Sequence, residues 1–231
     1  MIIIRLLSNY TDQTGCPMKK PELKISILSD YICPFCFIGH LRLKALREIY
    51  DLKINWCFIE IHPETPQEGH SVKMLNYEQE TWDEMTRNLL QLADDEGIKL
   101  HEQTMTTNSR KALLLSEAVK PLGADVFYPL HEQLFSAYFI EGKNIGDESV
   151  LRDIARQNNI PENLVNQAWS DKHTNGPPDS VPGSLLRYLQ YAGAIQAKSV
   201  PTFVFDDQML NGVVSKEKLL QVASDLSQKN S

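Results

Sequence analysis

In this chain of 231 residues, the side chains best suited to chemistry sit in one short run, Ser29-Asp30-Tyr31-Ile32-Cys33-Pro34-Phe35-Cys36-Phe37-Ile38-Gly39-His40. Two cysteines three positions apart can form a reversible disulfide, supply half of a zinc site, or pack as small apolar groups. A structural zinc site needs about four ligands, commonly two such pairs or one pair with two histidines. The other cysteines, Cys16 and Cys57, are isolated, and the six histidines show no paired spacing. Proline between two cysteines is a poor choice for mere packing at a turn. The spacing therefore favours redox chemistry over metal binding or simple burial.

Thiol–disulfide exchange needs a thiolate, and an unperturbed cysteine is mostly protonated at neutral pH. The flanking pattern supplies a way to hold one. Leu23, Ile25 and Ile27 recur at period two, which predicts a strand leading to Cys33. From Phe37 onward, Leu41, Ala45, Leu46 and Ile49 share one helical face. Cys33 is thereby expected at a helix N-terminus, where unpaired N–H groups and the positive end of the helix dipole stabilise an anion. Pro34 suits the first helical turn, where its missing N–H has no intrahelical partner. Cys36, three residues on, returns to nearly the same face and can reach the Cys33 sulfur. Phe35 adds no positive charge, so a potential below that of the strongest thiol oxidants is expected.

"KINWCFIEIHP" alternates again and predicts a second strand, closed by Pro63, with Cys57 inside it. Trp82, Met85, Leu89 and Leu92 form a helical stripe ending near Gly97, read as a core face. Asn108 and Ser109 are expected to cap a helix, and Leu130, Leu134 and Tyr138 mark another. Asp147 caps a further helix, and Pro161 opens one more. A helix over 184–194 leads to strands at Thr202–Phe205 and Leu210–Val214. Ser215 then caps a last helix with Leu219, Leu220, Ala223 and Leu226 inward. A βαβ start and a ββα end separated by helices are reconciled if both ends share one sheet. His40, just past the active-site turn, could touch the site but is read as a solvated helix histidine, and Glu60 and His62 are read as residues that could line a groove at the strand's end.

Bulk properties narrow the function. The composition, 42% hydrophobic and 23% charged, is that of an ordinary globular protein. A formal net charge of -7 argues against general affinity for nucleic acid or anionic membranes, which need a basic face. No apolar run approaches the roughly 20 residues that span a bilayer. The opening residues lack the build of a signal peptide, so residues 1–20 are read as a disordered or adventitious extension, with Met18 as an alternative start. The expected location is cytoplasmic, where a close cysteine pair is more often catalytic or metal-binding than structural.

"SDYICPFCFIGHLRLKAL" resembles the active-site segment of the DsbA-like thioredoxin-fold oxidoreductases, in their FrnE-like branch. "WCFIEIHPETP", "LHEQLFSAYFIEGKNIGDESVLRDIA" and "SVPTFVFDDQMLNG" resemble, in order, that branch's second strand, inserted helical domain and cis-proline strand pair. The resemblance spans about residues 22 to 228. It implies an α/β thioredoxin-like fold, discontinuous over 21–63 and 195–231, with an all-helical insertion at 64–194 lying as a lid over the dithiol.

For function it implies protein disulfide oxidoreduction, with Cys33 as nucleophile and Cys36 as the resolving thiol. Val200 and Pro201, with Pro34 and Phe35, would bind the substrate, a cis Val200–Pro201 bond presenting Val200's backbone to an extended segment. No metal, flavin or nucleotide cofactor is implied beyond the redox-active disulfide, with glutathione open as a small-thiol partner. Partners would be disulfide- or dithiol-containing proteins or small molecules, and a homodimer fits the family.

The chain departs from the pattern at three places. Phe35 stands where the family often has tryptophan, and Ser199 where it often has glycine. Ile27 falls where thioredoxins place a buried carboxylate, leaving Asp30 and Glu60 as candidate proton acceptors. Two other readings remain. One is a glutathione-dependent isomerase or transferase of the 2-hydroxychromene-2-carboxylate isomerase and kappa glutathione transferase type, which usually carries serine at the first active-site position. The other is a non-catalytic thioredoxin-fold binding module.

Overall fold

A computed structural model describes residues 20–229. Cys16, Met18 and the start of the proposed extension lie outside the described residues. Along the chain run β1 (Glu22–Ser29), α1 (Pro34–Ile49), β2 (Asp51–Phe58), β3 (His70–Ser71), α2 (Gln79–Asp95), β4 (Met105–Thr106), α3 (Arg110–Val119) and α4 (Ala124–Phe139). There follow α5 (Glu148–Gln157), α6 (Glu162–Ala168), α7 (Gly183–Ala194), β5 (Thr202–Phe205), β6 (Gln208–Asn211) and α8 (Lys216–Lys229).

The two ends of the chain do share a sheet, in the order β2-β1-β5-β6. Because β1 and β2 are parallel and joined by a crossover helix, they pair in one register from Glu22↔Asp51 to Ser29↔Phe58. β5 pairs antiparallel with β1, setting Phe203 opposite Ile27. Leu23, Ile25 and Ile27 are all buried, as the period-two alternation predicts. The helices between β2 and β5 complete a mixed α/β thioredoxin-like fold with a helical insertion; that segment also holds the two-residue β3–β4 ladder.

α1 packs against α8 on one side and reaches β5 on another. Gly39 permits that approach. A Cβ there would sit 3.0 Å from the Phe203 ring and 3.5 Å from Pro201 Cγ. A glycine in mid-helix costs roughly 1 kcal/mol of helix propensity. The sequence accepts that cost at a position where α1 touches the strand pair carrying Pro201.

Several local expectations shift. The last strand is Gln208–Asn211, not Leu210–Val214. Asp206 adopts φ +50, so the chain reverses over Asp206-Asp207 and strand pairing begins earlier. On α1, Leu41 and Ala45 are only half-buried, while Ile38 and Leu43 are inside. Trp82, Met85, Leu89 and Leu92 on α2 are likewise half-buried, so that stripe covers the core without entering it. On α8, Val222 is buried and Leu220 is not fully so. At the start of α3 it is Asn108, through Oδ1 to Arg110 N, that bonds the helix, whereas Ser109 makes no cap bond. Asp147 and Ser215 cap α5 and α8 through Ser149 N and Lys218 N.

Candidate active site

Cys33 is the N-cap of α1, with extended backbone (φ -85, ψ 113), and Pro34 follows in the first turn. Its carbonyl accepts the first helical bonds, from Cys36 N at 3.0 Å and Phe37 N at 3.2 Å. The side chain therefore sits at the helix mouth with the unpaired first-turn N–H groups. Cys33 and Cys36 are both free thiols and both buried, at 5% and 2% exposure. Opposite them, the Val200–Pro201 peptide is cis, and the Cys33 thiol donates to the Val200 carbonyl at 3.7 Å. Pro201 is buried and Val200 half-buried, whereas Pro34 and Phe35 keep partial exposure at the rim.

The two thiols have different surroundings. Burial pushes the Cys36 thiol well above the usual range, and its hydrogen bond with Cys33 pushes the same way. The Asp30 backbone N–H and the Ser29 hydroxyl act in opposition. Cys36 is thus held as a protonated thiol beside the Cys33 sulfur at the helix mouth.

A buried carboxyl lies in the same turn. Asp30 is fully enclosed, accepting from Ile61 N at 2.9 Å and Ile32 N at 3.3 Å. Burial pushes it up to about 7, and the Glu60 charge adds to the rise against these N–H groups and the neighbouring Ser109. Ile27, where a carboxylate was looked for by position, is a core side chain at 1% exposure. Asp30 occupies the interior three residues nearer the cysteines. Glu60 is committed elsewhere: Arg110 Nε contacts both its oxygens, at 2.9 and 3.1 Å, and Asn108 bonds it at 3.1 Å. Arg110 also donates to the carbonyls of His173, Gly176 and Pro178, tying the 173–178 loop to β2's end. His62 pairs with Glu64 at 3.1 Å. The structure does not bring Glu60 or His62 to the sulfurs.

The expectation for His40 fails. It is 5% exposed and packs its ring against Phe135, Trp56 and His131. Burial pushes it down to about 3, with the Arg47 and Lys44 charges adding to the fall. Position four residues after Cys36 turns it inward with the buried face of α1. Two further interior groups escaped sequence reading. Tyr31 bonds Ser116 at 2.8 Å and His131 at 2.7 Å, holding the active-site turn to α3 and α4. Arg110 carries no local signal, since its partners lie about 50 to 70 positions away. Cys57 is a buried strand residue, and burial pushes its thiol up to about 11. Among the described residues, no three His, Cys, Asp or Glu side chains are grouped to hold a metal ion, and no helix is long and apolar enough to cross a membrane.

The "IEGKNIGD" segment has a physical role. Asn144 Oδ1 accepts from Gly146 N and Thr107, and Nδ2 donates to Gln67 O. A Cβ on Gly146 would collide with Thr107 Oγ1 and lie 2.7 Å from Gln67 O. The segment therefore clamps the loop after β2 to the turn between α4 and α5.

Comparison with known proteins agrees with this geometry. A family model described as a DSBA-like thioredoxin domain matches residues 24–222. A curated relative, the uncharacterized protein YwbO of Bacillus subtilis, is 22% identical over 205 residues, 89% of this chain and 98% of that one. A probable DsbA oxidoreductase from Streptomyces coelicolor superposes with a TM-score of 0.73 at 19% identity, covering 88% of this chain and 89% of that one. The cytosolic disulfide reductase DsbM from Pseudomonas aeruginosa, also solved with GSH, gives 0.60 at 16% identity, over 88% and 94% of the two chains. A 2-hydroxychromene-2-carboxylate isomerase gives 0.65 at 18% identity, over 89% and 95%. At these identities the structural likenesses establish the fold.

Proposed function

The chain belongs to the DsbA-like thioredoxin family, and from that membership we propose that it is a thiol–disulfide oxidoreductase of the FrnE-like branch, working through Cys33 and Cys36. One observation carries the reading: Cys33 caps α1 beside a buried, protonated Cys36 and faces the Val200 carbonyl.

In the reductive direction, the Cys33 thiolate attacks one sulfur of a substrate disulfide. A Cys33–substrate bond forms and the other substrate sulfur leaves as a thiolate. Cys36 then gives up its proton and attacks the Cys33 sulfur. The substrate's second sulfur departs, the Cys33–Cys36 disulfide forms, and two electrons have passed to the substrate. We assign Asp30 as the acceptor for the Cys36 proton: its backbone N–H bonds Cys36, and its carboxyl is buried in the turn that leads into the helix. A carboxyl poised near 7 can take and return a proton at neutral pH.

Val200 and Pro201 form the wall against which an extended substrate segment lies, with Pro34 and Phe35 at its rim. The substrate is a disulfide-bearing protein or small molecule. The enzyme is cytosolic, and a small thiol such as glutathione regenerates the dithiol; the reductase solved with GSH supports that part of the reading. No resident cofactor is required by this cycle.

Insulin-disulfide reduction by the purified protein tests the proposal. The wild type should be active and Cys33→Ser inactive. Saturable glutathione binding with conjugating activity that survives Cys36→Ser would instead favour the isomerase or transferase reading.

A further inference from the structure

A second region of interest lies away from the dithiol, along β2. Among the described residues, β2 has one strand neighbour, β1. Beside it is a cavity of about 1430 Å³, bounded by β2, the last turn of α1 and the first turns of α4. Neither active-site cysteine nor Val200 lines it. It exceeds the roughly 300–1,000 Å³ of ordinary small-molecule pockets, so a ligand would fill part of it.

Three features give this cavity a chemical preference. Its charged lining is Lys20, Lys24, Arg47, Lys53 and Lys120 against Asp51, Asp125 and Asp206, a cationic balance on a chain of net charge -7. Lys53 and Lys120 are engaged with Asp51 and Glu117, but Arg47 Nη2 has no hydrogen-bond partner. Next, Gly123, Ala124 and Asp125 at the start of α4 line the cavity, and Gly123 has no side chain to cap the helix, which leaves its first turn without a side-chain partner at this border. Finally, Trp56, 2% exposed and part of the cavity wall, has an unpartnered indole N–H. A buried donor left without a partner is costly, and Trp56 Nε1 can only donate. The surrounding walls are flat and aromatic, from Tyr50, Phe127, Tyr128 and Tyr191, and the Arg47 guanidinium lies 4.1 Å over the Tyr128 ring.

We infer that this cavity binds a small planar anion, an aromatic carboxylate by chemical class, with its ring among the tyrosines and its charge on Arg47. Trp56 Nε1 and the α4 N-terminus supply the remaining donors. The Trp56 ring packs on His131, 4.2 Å between centroids, and its N–H is itself shielded from solvent, so the carboxylate reaches that donor by displacing part of the cavity wall. The site is independent of the dithiol chemistry proposed above.

The three indole N–H resonances, from Trp56, Trp82 and Trp169, provide the readout. 1-Naphthoate titrated into the 15N-labelled full chain should move the Trp56 signal saturably and leave the Trp82 signal in place. Arg47→Met should weaken binding about tenfold or more, the scale of a lost charged hydrogen bond, and uncharged 1-naphthylmethanol should bind correspondingly worse. Insulin reduction by Arg47→Met should match the wild type. If Arg47→Met fails to fold by circular dichroism, Tyr191→Ala replaces it with the same expected weakening. The inference is overturned if Trp56 shows no saturable shift, if only Trp82 or Trp169 responds, or if the acid and the alcohol bind equally.

Discussion

Replacing Asp30 by asparagine separates the cost of burying a carboxyl from its use. Burial raises the Asp30 carboxyl from 3.8 to about 7. Below pH 4 both folded and unfolded chains carry it protonated, and it exacts no electrostatic penalty. As pH rises from 4 to 7 the unfolded chain releases this proton while the folded chain keeps it, so folding is progressively disfavoured. Above pH 7 the penalty is complete. The gap of about 3 pH units, at 1.36 kcal/mol each, comes to about 4 kcal/mol. Asparagine cannot ionise and escapes this penalty. It also presents an amide N–H₂ to one of the two backbone donors that Asp30 accepts from, Ile32 N or Ile61 N. That mismatch costs about 1–3 kcal/mol at every pH. The pH-dependent part is isolated by differencing. Urea unfolding of reduced wild type and Asp30→Asn at pH 4 and pH 8 should show the variant gaining about 4 kcal/mol, relative to wild type, between the two. The same variant should resolve mixed disulfides on the order of 10²-fold more slowly at pH 7, the lower range for loss of a general base. A stability difference independent of pH would refute the buried-carboxyl argument, and unimpaired resolution would remove Asp30 from the proton path.

Other outcomes follow from the same geometry. His40 is neutral in the fold down to about pH 3 but titrates near 6.5 when unfolded, so acid favours unfolding; the loss should reach about 3 kcal/mol at pH 4.5, and His40→Phe should abolish that share in denaturation series. Gly39→Val would drive a side chain into Phe203 and Pro201; a stability loss of about 1–3 kcal/mol is expected, with a larger proportional fall in insulin reduction, and unchanged activity would contradict the role given to that contact. The dithiol potential, titrated against glutathione, should lie below the roughly -120 mV of the strongest superfamily oxidant, and Phe35→His should raise it.

Much of the fold was legible because its signals are local. The alternation of Leu23, Ile25 and Ile27 and the Asp147 cap need only neighbours to be read, and they appear where expected. The dithiol was legible for the same reason: strand, turn, cysteine, proline and helix fall within one short run. What escaped depends on partners far along the chain. Nothing around position 40 says that Trp56 and His131 will close over the imidazole, and nothing near Arg110 announces Glu60. The acid at Asp30 was visible as a residue, but its burial arises from Ile61 and Ser109, contributed by other elements. The half-exposed stripe on α2 shows the opposite failure: helical periodicity predicts a face, and tertiary packing alone decides how deeply that face is covered.

The most direct test is to map where a substrate becomes attached. Reduced Cys36→Ser, mixed at pH 7 with a disulfide-bearing peptide, should accumulate one mixed disulfide, located by peptide mass mapping at Cys33, while the wild type carries none for long. An adduct at Cys57, or an adduct on Cys33 that the wild type fails to clear, would contradict the division of labour between the two sulfurs.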